Sequence, residues 1–194
     1  MQFKVNSCSF TGKVDDFRES GDEVFILLKA KVSGRMETKF PVVLKKSVYE
    51  KMEPVALGMY LSVFHVPVDI DNGKYRFRAT STSQIWRIKP RPGETFSQAT
   101  FSGRVASLSD DDESYIVHLI QDDAPRKTEF LLVIGKRLYP QISITFEDEV
   151  LISNAQAYQK DGVFRYRIMS ASQLKLIKRN NPDKGIVQAR DKFI

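Results

Sequence analysis

The sequence predicts a mainly all-β protein made of two five-stranded units, each with a short helix between its third and fourth strands. Three blocks, each occurring twice, predict it. Asn72-Gly-Lys-Tyr-Arg-Phe-Arg-Ala-Thr-Ser-Thr-Ser-Gln84 returns as Asp161-Gly-Val-Phe-Arg-Tyr-Arg-Ile-Met-Ser-Ala-Ser-Gln173, 89 residues later. Phe10-Thr-Gly-Lys-Val14 returns as Phe101-Ser-Gly-Arg-Val105, and Thr38–Tyr49 returns as Thr128–Tyr139. Order and spacing are kept together, which chance similarity does not do. A period near 90 residues exceeds the 20–50 residues or so of solenoid repeats and is the size of a small domain. The expected domains are 1–89, a Pro/Gly linker at 90–96, 97–179, and a tail at 180–194.

The first strand is expected from Ser7 to Phe17. Gly12 within it, like Gly103 in the second copy, marks a bulge or a sharp bend. Glu19–Asp22 reads as a turn. From Val24 to Val32, Val24, Ile26, Leu28, Ala30 and Val32 form one apolar face. Phe25, Leu27, Lys29 and Lys31 form the other, which is expected to face outward. An aromatic between lysines suits base stacking with phosphate contact; a lysine-edged strand with an incidental aromatic is the alternative.

Ser33-Gly34 is the next turn, and Thr38–Lys45 the third strand, with Lys39 and Lys45 outward. Lys46–Leu57 is the expected short helix, stopped by Gly58. Tyr60–Ile70 reads as one fourth strand whose two faces are equally apolar, and Asp71-Asn-Gly73 as the turn into the fifth. There Tyr75, Phe77 and Ala79 alternate with Arg76 and Arg78, as Phe164, Tyr166 and Ile168 alternate with Arg165 and Arg167. The arginines fit phosphate binding or simple solvation. Trp86 fits either a stacking face or a core position at a strand end.

In the second copy, strands are expected near 99–109, 114–121, 128–135, 147–158 and 163–177, with at most a single turn within Lys136–Thr145. A shift of 90 places Tyr115 on Phe25, Leu119 on Lys29 and His118 on Leu28, making His118 a core histidine. Asp110–Glu113 fill the first hairpin turn and would repel phosphate.

Net charge is +6 with a pI near 9.3, which points to a polyanionic partner. Residues 1–92 hold 16 Lys+Arg against 10 Asp+Glu, whereas residues 93–174 hold 8 against 12. The first domain is therefore basic and the second acidic apart from its last strand. No apolar run is long enough to span a bilayer, and the N-terminus lacks the apolar segment of a signal peptide. The lone Cys8 excludes an internal disulfide, and an intracellular, reducing, cytoplasmic location is expected. His65 and His118 have no metal-ligand spacing, no phosphate-cradling loop is present, and no nucleophile has a recognisable base. The expectation is a non-enzyme with no cofactor and no metal.

The strand order, the glycine-bent first strand and the helix between strands three and four resemble the OB-fold, a five-stranded Greek-key barrel. Two such units in a small basic chain resemble tandem OB-fold single-stranded DNA-binding proteins of the replication protein A type or the phage and plasmid type. That resemblance implies sequence-tolerant binding of single-stranded DNA in replication, recombination or repair, with proteins of those processes as further partners. RNA is a second candidate ligand. The nucleic-acid-binding residues expected are Phe25, Lys29, Lys31, Lys39, Lys45, Arg76, Arg78, Trp86, Tyr115, Arg165 and Arg167. The chain ends Arg190-Asp-Lys-Phe-Ile194, without the acidic tip usual in bacterial members. The other function class is a protein-interaction or structural module of a larger assembly, to which the acidic second domain is suited.

Overall fold

The computed structural model describes residues 5–32, 36–71, 74–89, 96–123 and 126–179. The turns expected at Ser33-Gly34 and Asn72-Gly73, nearly all of the linker, and the tail lie outside these residues. The chain forms two compact units. One holds Asn6–Gln98 with Tyr158–Val163; the other holds Ala99–Ala157 and the described chain from Phe164 onward.

In the first unit, β1 (Asn6–Ser20), β2 (Glu23–Val32) and β3 (Met36–Lys45) form an antiparallel meander. The helix α1 (Lys46–Tyr49) follows, then β4 (Tyr60–Val66), β5 (Val68–Asp71), β6 (Lys74–Ala79) and β7 (Ile85–Ile88). β6 pairs parallel with β3 and antiparallel with β5, and β4 pairs back onto β1. With β4 and β5 counted as one bent strand, this is the closed order of an OB-fold-like barrel.

Gly12 is where the barrel closes. Lys13 faces Lys29 on β2 and also Tyr60 on β4, so β1 passes from one partner to the other at this point. A bulge follows between Val14 and Asp16. A Cβ on Gly12 would sit 3.0 Å from Leu28 Cβ and 3.1 Å from the Lys29 carbonyl oxygen. Gly12→Val is therefore expected to destabilise this unit by about 1–3 kcal/mol through overpacking, read as a lower urea midpoint. An unchanged midpoint would mean that the corner does not need glycine.

Three differences from the sequence expectation have local causes. Tyr60–Ile70 is two strands rather than one. His65 has φ 51° and Pro67 cannot donate to the ladder, so pairing breaks between them. Asn6 bridges the break, its Oδ1 accepting from the Val68 amide at 2.9 Å and its Nδ2 donating to the Val68 carbonyl at 2.8 Å. The helix stops at Tyr49 instead of Leu57, ahead of Pro54, which disfavours helical backbone in the residue before it. The expected turn at Glu19–Asp22 narrows to Gly21-Asp22, because β1 runs on to Ser20.

The second unit contains most of β8 (Ser97–Asp111), all of β9 (Ser114–Asp123) and β10 (Arg126–Gly135), most of β11 (Glu149–Lys160) and β12 (Val163–Ile168), which are joined through Tyr158–Val163 of the first unit, and β13 (Leu174–Lys178). β8 to β10 form a meander, β12 pairs parallel with β10, and β11 pairs with β8 and β12. The single turn expected here is a 3-10 turn at Tyr139–Gln141, where Pro140 stands at its start.

Both cores are centred on aromatic triplets of matching geometry. Phe10 stacks on Phe40 at 4.2 Å, with Phe77 edge-on at 4.9 Å from Phe10. Phe101 stacks on Phe130 at 4.2 Å, with Tyr166 edge-on at 4.9 Å from Phe101. The apolar face expected for β2 is buried throughout. The Ser-x-Ser-Gln endings of the duplicated stretch are not strand. Ser81 and Gln84 form a capping box around the 3-10 turn Thr82–Gln84, and Ser170 and Gln173 do the same around Ala171–Gln173.

Candidate nucleic-acid interface

Alternation along β2 turns Phe25, Leu27, Lys29 and Lys31 away from the buried face, as the sequence predicts. β3 brings Lys39 directly opposite Lys29, and β6 brings Arg76 and Arg78. Two guanidinium groups approach the Phe25 ring, Arg18 at 5.0 Å and Arg76 at 5.4 Å from its centroid. Arg18, its cross-strand neighbour in β1, went unrecognised in the sequence.

The cations of this face are matched by acids. Arg78 Nη1 donates to Glu23 Oε1 at 2.7 Å, Arg76 lies 3.7 Å from Glu23 Oε2, and Arg78 Nη2 lies 3.8 Å from Asp69. Lys29 pairs with Glu37 at 2.8 Å, and Lys39 with Asp15 at 3.3 Å. The hydrogen bond that Lys29 donates to Glu37 is the main cause of its raised pKa, so the ammonium stays charged. Lys31 and Lys45 are exposed, the latter opposite Glu23 in the β2–β3 register.

Trp86 belongs to a different surface. The strand β7 pairs with β4 and buries Ile85, which turns Trp86 outward with 61% of its surface exposed. The core alternative for this residue is thereby removed. The indole is held in place: its Nε1 donates to the Ser83 carbonyl at 2.7 Å, and Phe64 meets it edge-on at 6.5 Å. It walls a groove of about 1080 Å³ lined also by Lys51, Met52, Leu57, Arg87 and Lys89. Leu57 is the other large apolar side chain exposed there, at 69%. Three cations and one acid, Glu53, line the groove. With its N–H already bonded, the tryptophan offers its π face and apolar edge.

In the second unit the sequence alignment is off by one residue. Val14 faces Leu28, and Val105 faces Leu119; Phe40 faces Leu28, and Phe130 faces Leu119. Leu119 therefore holds the place of Leu28, not of Lys29. A one-residue slip moves every side chain to the other face of a strand. Ile116, not Tyr115, holds the place of Phe25, and Ile120 that of Lys29. His118 falls on the outer parity and is half-buried rather than a core histidine. The outer face of β9 is thus Ile116, His118 and Ile120, without a lysine.

Tyr115 instead packs on Tyr139, with ring centroids 4.3 Å apart. Lys136 reaches to 5.8 Å from the Tyr115 ring while bonded to Asp110 at 2.7 Å. Burial raises the pKa of Tyr139. Arg165 is mostly covered, with Asp111 at 3.9 Å, and Arg167 is half-buried. Arg104 is bonded to Glu147 and lies 3.4 Å from Asp122. The exposed Lys175 follows Gln173 by two residues, as Trp86 follows Gln84.

Among the described residues, no group of three His, Cys, Asp or Glu side chains could hold a metal ion, and no helix is long and apolar enough to cross a membrane. Cys8 is fully buried, and desolvation raises the pKa of its thiol.

No family model matches the chain, and no curated protein does. Among solved structures, the wild-type single-stranded DNA binding protein of Thermus aquaticus is similar with a TM-score of 0.64 at 11% identity, covering 94% of this chain and 97% of that one. A deletion variant of that protein gives a TM-score of 0.65 at 12% identity, covering 93% and 98%. At such identities the likeness establishes the fold, which is mainly β with OB-fold-like barrels.

Proposed function

We propose that this protein binds single-stranded DNA with little sequence preference, and that its first unit carries the binding. The observation that supports this best is Trp86: an exposed indole, fixed by its own hydrogen bond and by Phe64, at a groove rimmed by Lys51, Arg87 and Lys89. An aromatic face accepts any base, and flanking cations follow the phosphates. The fold shared with proteins named for single-stranded DNA binding and the excess of basic residues in 1–92 support the same reading. On this proposal the two units are tandem copies of one barrel, acting inside the cell in replication, recombination or repair without enzymatic activity. RNA would fit the same groove, because nothing in it distinguishes the 2′-hydroxyl.

The second unit favours another role. Its outer β9 face carries isoleucines where β2 carries Phe25 and Lys29, and residues 93–174 hold 8 basic against 12 acidic side chains. We propose that it contributes protein contacts rather than phosphate binding.

Trp86 is the chain's single tryptophan, so it reports on the groove directly. Titration with oligo(dT) is expected to quench its fluorescence at low salt. The affinity should fall with salt at a slope of roughly 0.7 per phosphate contacted. Absence of any response at low salt would exclude the groove as the contact surface; absence of binding in the anisotropy of labelled oligo(dT) as well would overturn the DNA reading and leave the protein-interaction module.

A further inference from the structure

We infer that Glu23 is an internal stand-in for phosphate, which single-stranded DNA must displace before it can use the β2–β3–β6 face. This rests on the DNA-binding reading above and deepens it. Its two carboxylate oxygens address different arginines: Oε1 accepts from Arg78 Nη1 at 2.7 Å, and Oε2 lies 3.7 Å from Arg76 Nη1. Two guanidinium groups around one small oxyanion is the arrangement a phosphodiester would take at this place.

The carboxylate also governs the neighbouring aromatic. The guanidinium group of Arg76 that Glu23 attracts lies over Phe25 at 5.4 Å, while Arg18 lies at 5.0 Å from the same ring. Both groups compete with a base for the Phe25 ring. Glu23 thus has two effects that point the same way: it neutralises cations that would meet phosphate, and it holds Arg76 where the base would go. The acids of this face are unequal in this respect. Glu37 pairs with Lys29 at 2.8 Å, Asp15 with Lys39 at 3.3 Å, and Asp69 lies 3.8 Å from Arg78, whereas Glu23 reaches both arginines.

The two duplicated arginines are therefore held in reserve. Trp86 and the groove cations make the first, weaker contact, and the β2 face joins only where the strand can out-compete a carboxylate. Such a face discriminates by local phosphate density, favouring a continuous strand over a mononucleotide.

The test compares Glu23→Gln with Asp22→Asn in the full-length protein, by anisotropy of labelled oligo(dT). Both remove one negative charge at adjacent positions; only the first removes the carboxylate that reaches both Arg76 and Arg78. Glu23→Gln is expected to tighten binding about tenfold at low salt and to steepen the salt slope by roughly 1.4, two phosphate contacts at about 0.7 each. Asp22→Asn should change affinity less than about twofold. Glu23→Asp keeps the charge but withdraws it by one methylene, and should fall between wild type and Glu23→Gln. It serves as the deciding variant if Glu23→Gln melts early. Equal gains from Glu23→Gln and Asp22→Asn, or no gain from Glu23→Asp, would show that Glu23 acts only as a diffuse charge. Should wild type bind and Glu23→Gln add nothing, this inference alone falls. Should neither bind, the DNA-binding reading falls with it.

Discussion

Phe10→Ala is expected to destabilise the first unit by about 3–5 kcal/mol, the usual cost of emptying a packed aromatic site. Phe10 is fully buried, and its ring is held from two sides by Phe40 and Phe77. These neighbours come from β3 and β6, which pair in parallel and are separated in sequence by α1, β4 and β5. Phe10 therefore joins three strands that only tertiary structure brings together, and the cavity left by alanine cannot close by a local shift. Urea unfolding followed by Trp86 fluorescence measures this effect in the first unit, where the only tryptophan lies. A loss below about 1 kcal/mol would mean that the core relaxes around the missing ring. Phe101 sits in the matching triplet, so Phe101→Ala should cost a similar amount in the second unit, read by circular dichroism.

The core was legible in the sequence because strand alternation is local. Val24, Ile26, Leu28, Ala30 and Val32 share one side of β2 whatever β2 pairs with. The corner at Gly12 was legible too, because a glycine within a strand has few other uses. Register was less legible. A one-residue difference between β2 and β9 moved Tyr115 off the position of Phe25, and the pairing of Val105 and Phe130 with Leu119 shows it. The capping boxes at Ser81–Gln84 and Ser170–Gln173 satisfy a sequence rule that the strand reading overrode. The side chains of Arg76 and Arg78 do share one side of β6, as alternation predicts. Their engagement by Glu23, some 50 residues earlier, is a non-local fact that no periodicity carries. The same holds for Tyr158–Val163, which belongs to the first unit although it lies far into the second copy.

Trp86→Ala is expected to weaken oligo(dT) binding by about 1–3 kcal/mol, the range for losing one base stack, while leaving the fold in place. Both halves of this expectation follow from the position of the side chain. At 61% exposure it contributes little to the core, and the one hydrogen bond it loses, to the Ser83 carbonyl, is worth about 0.5–1.5 kcal/mol. The 3-10 turn beneath it keeps its own capping box. Trp86→Phe should recover most of the affinity, because a phenyl ring still offers a π face. The salt slope separates this role from that of the cations beside it. Removing an uncharged ring leaves the number of phosphate contacts unchanged, so Trp86→Ala should lower the affinity at every salt concentration by the same factor. Arg87→Gln with Lys89→Gln should instead flatten the slope by roughly 1.4 if both reach phosphates. Anisotropy of a labelled oligonucleotide supplies the measurement, since the substitution removes the protein's own fluorophore. Wild-type affinity in Trp86→Ala would move the contact surface away from the groove and onto the Phe25 face, where release of Glu23 would then control all of the binding.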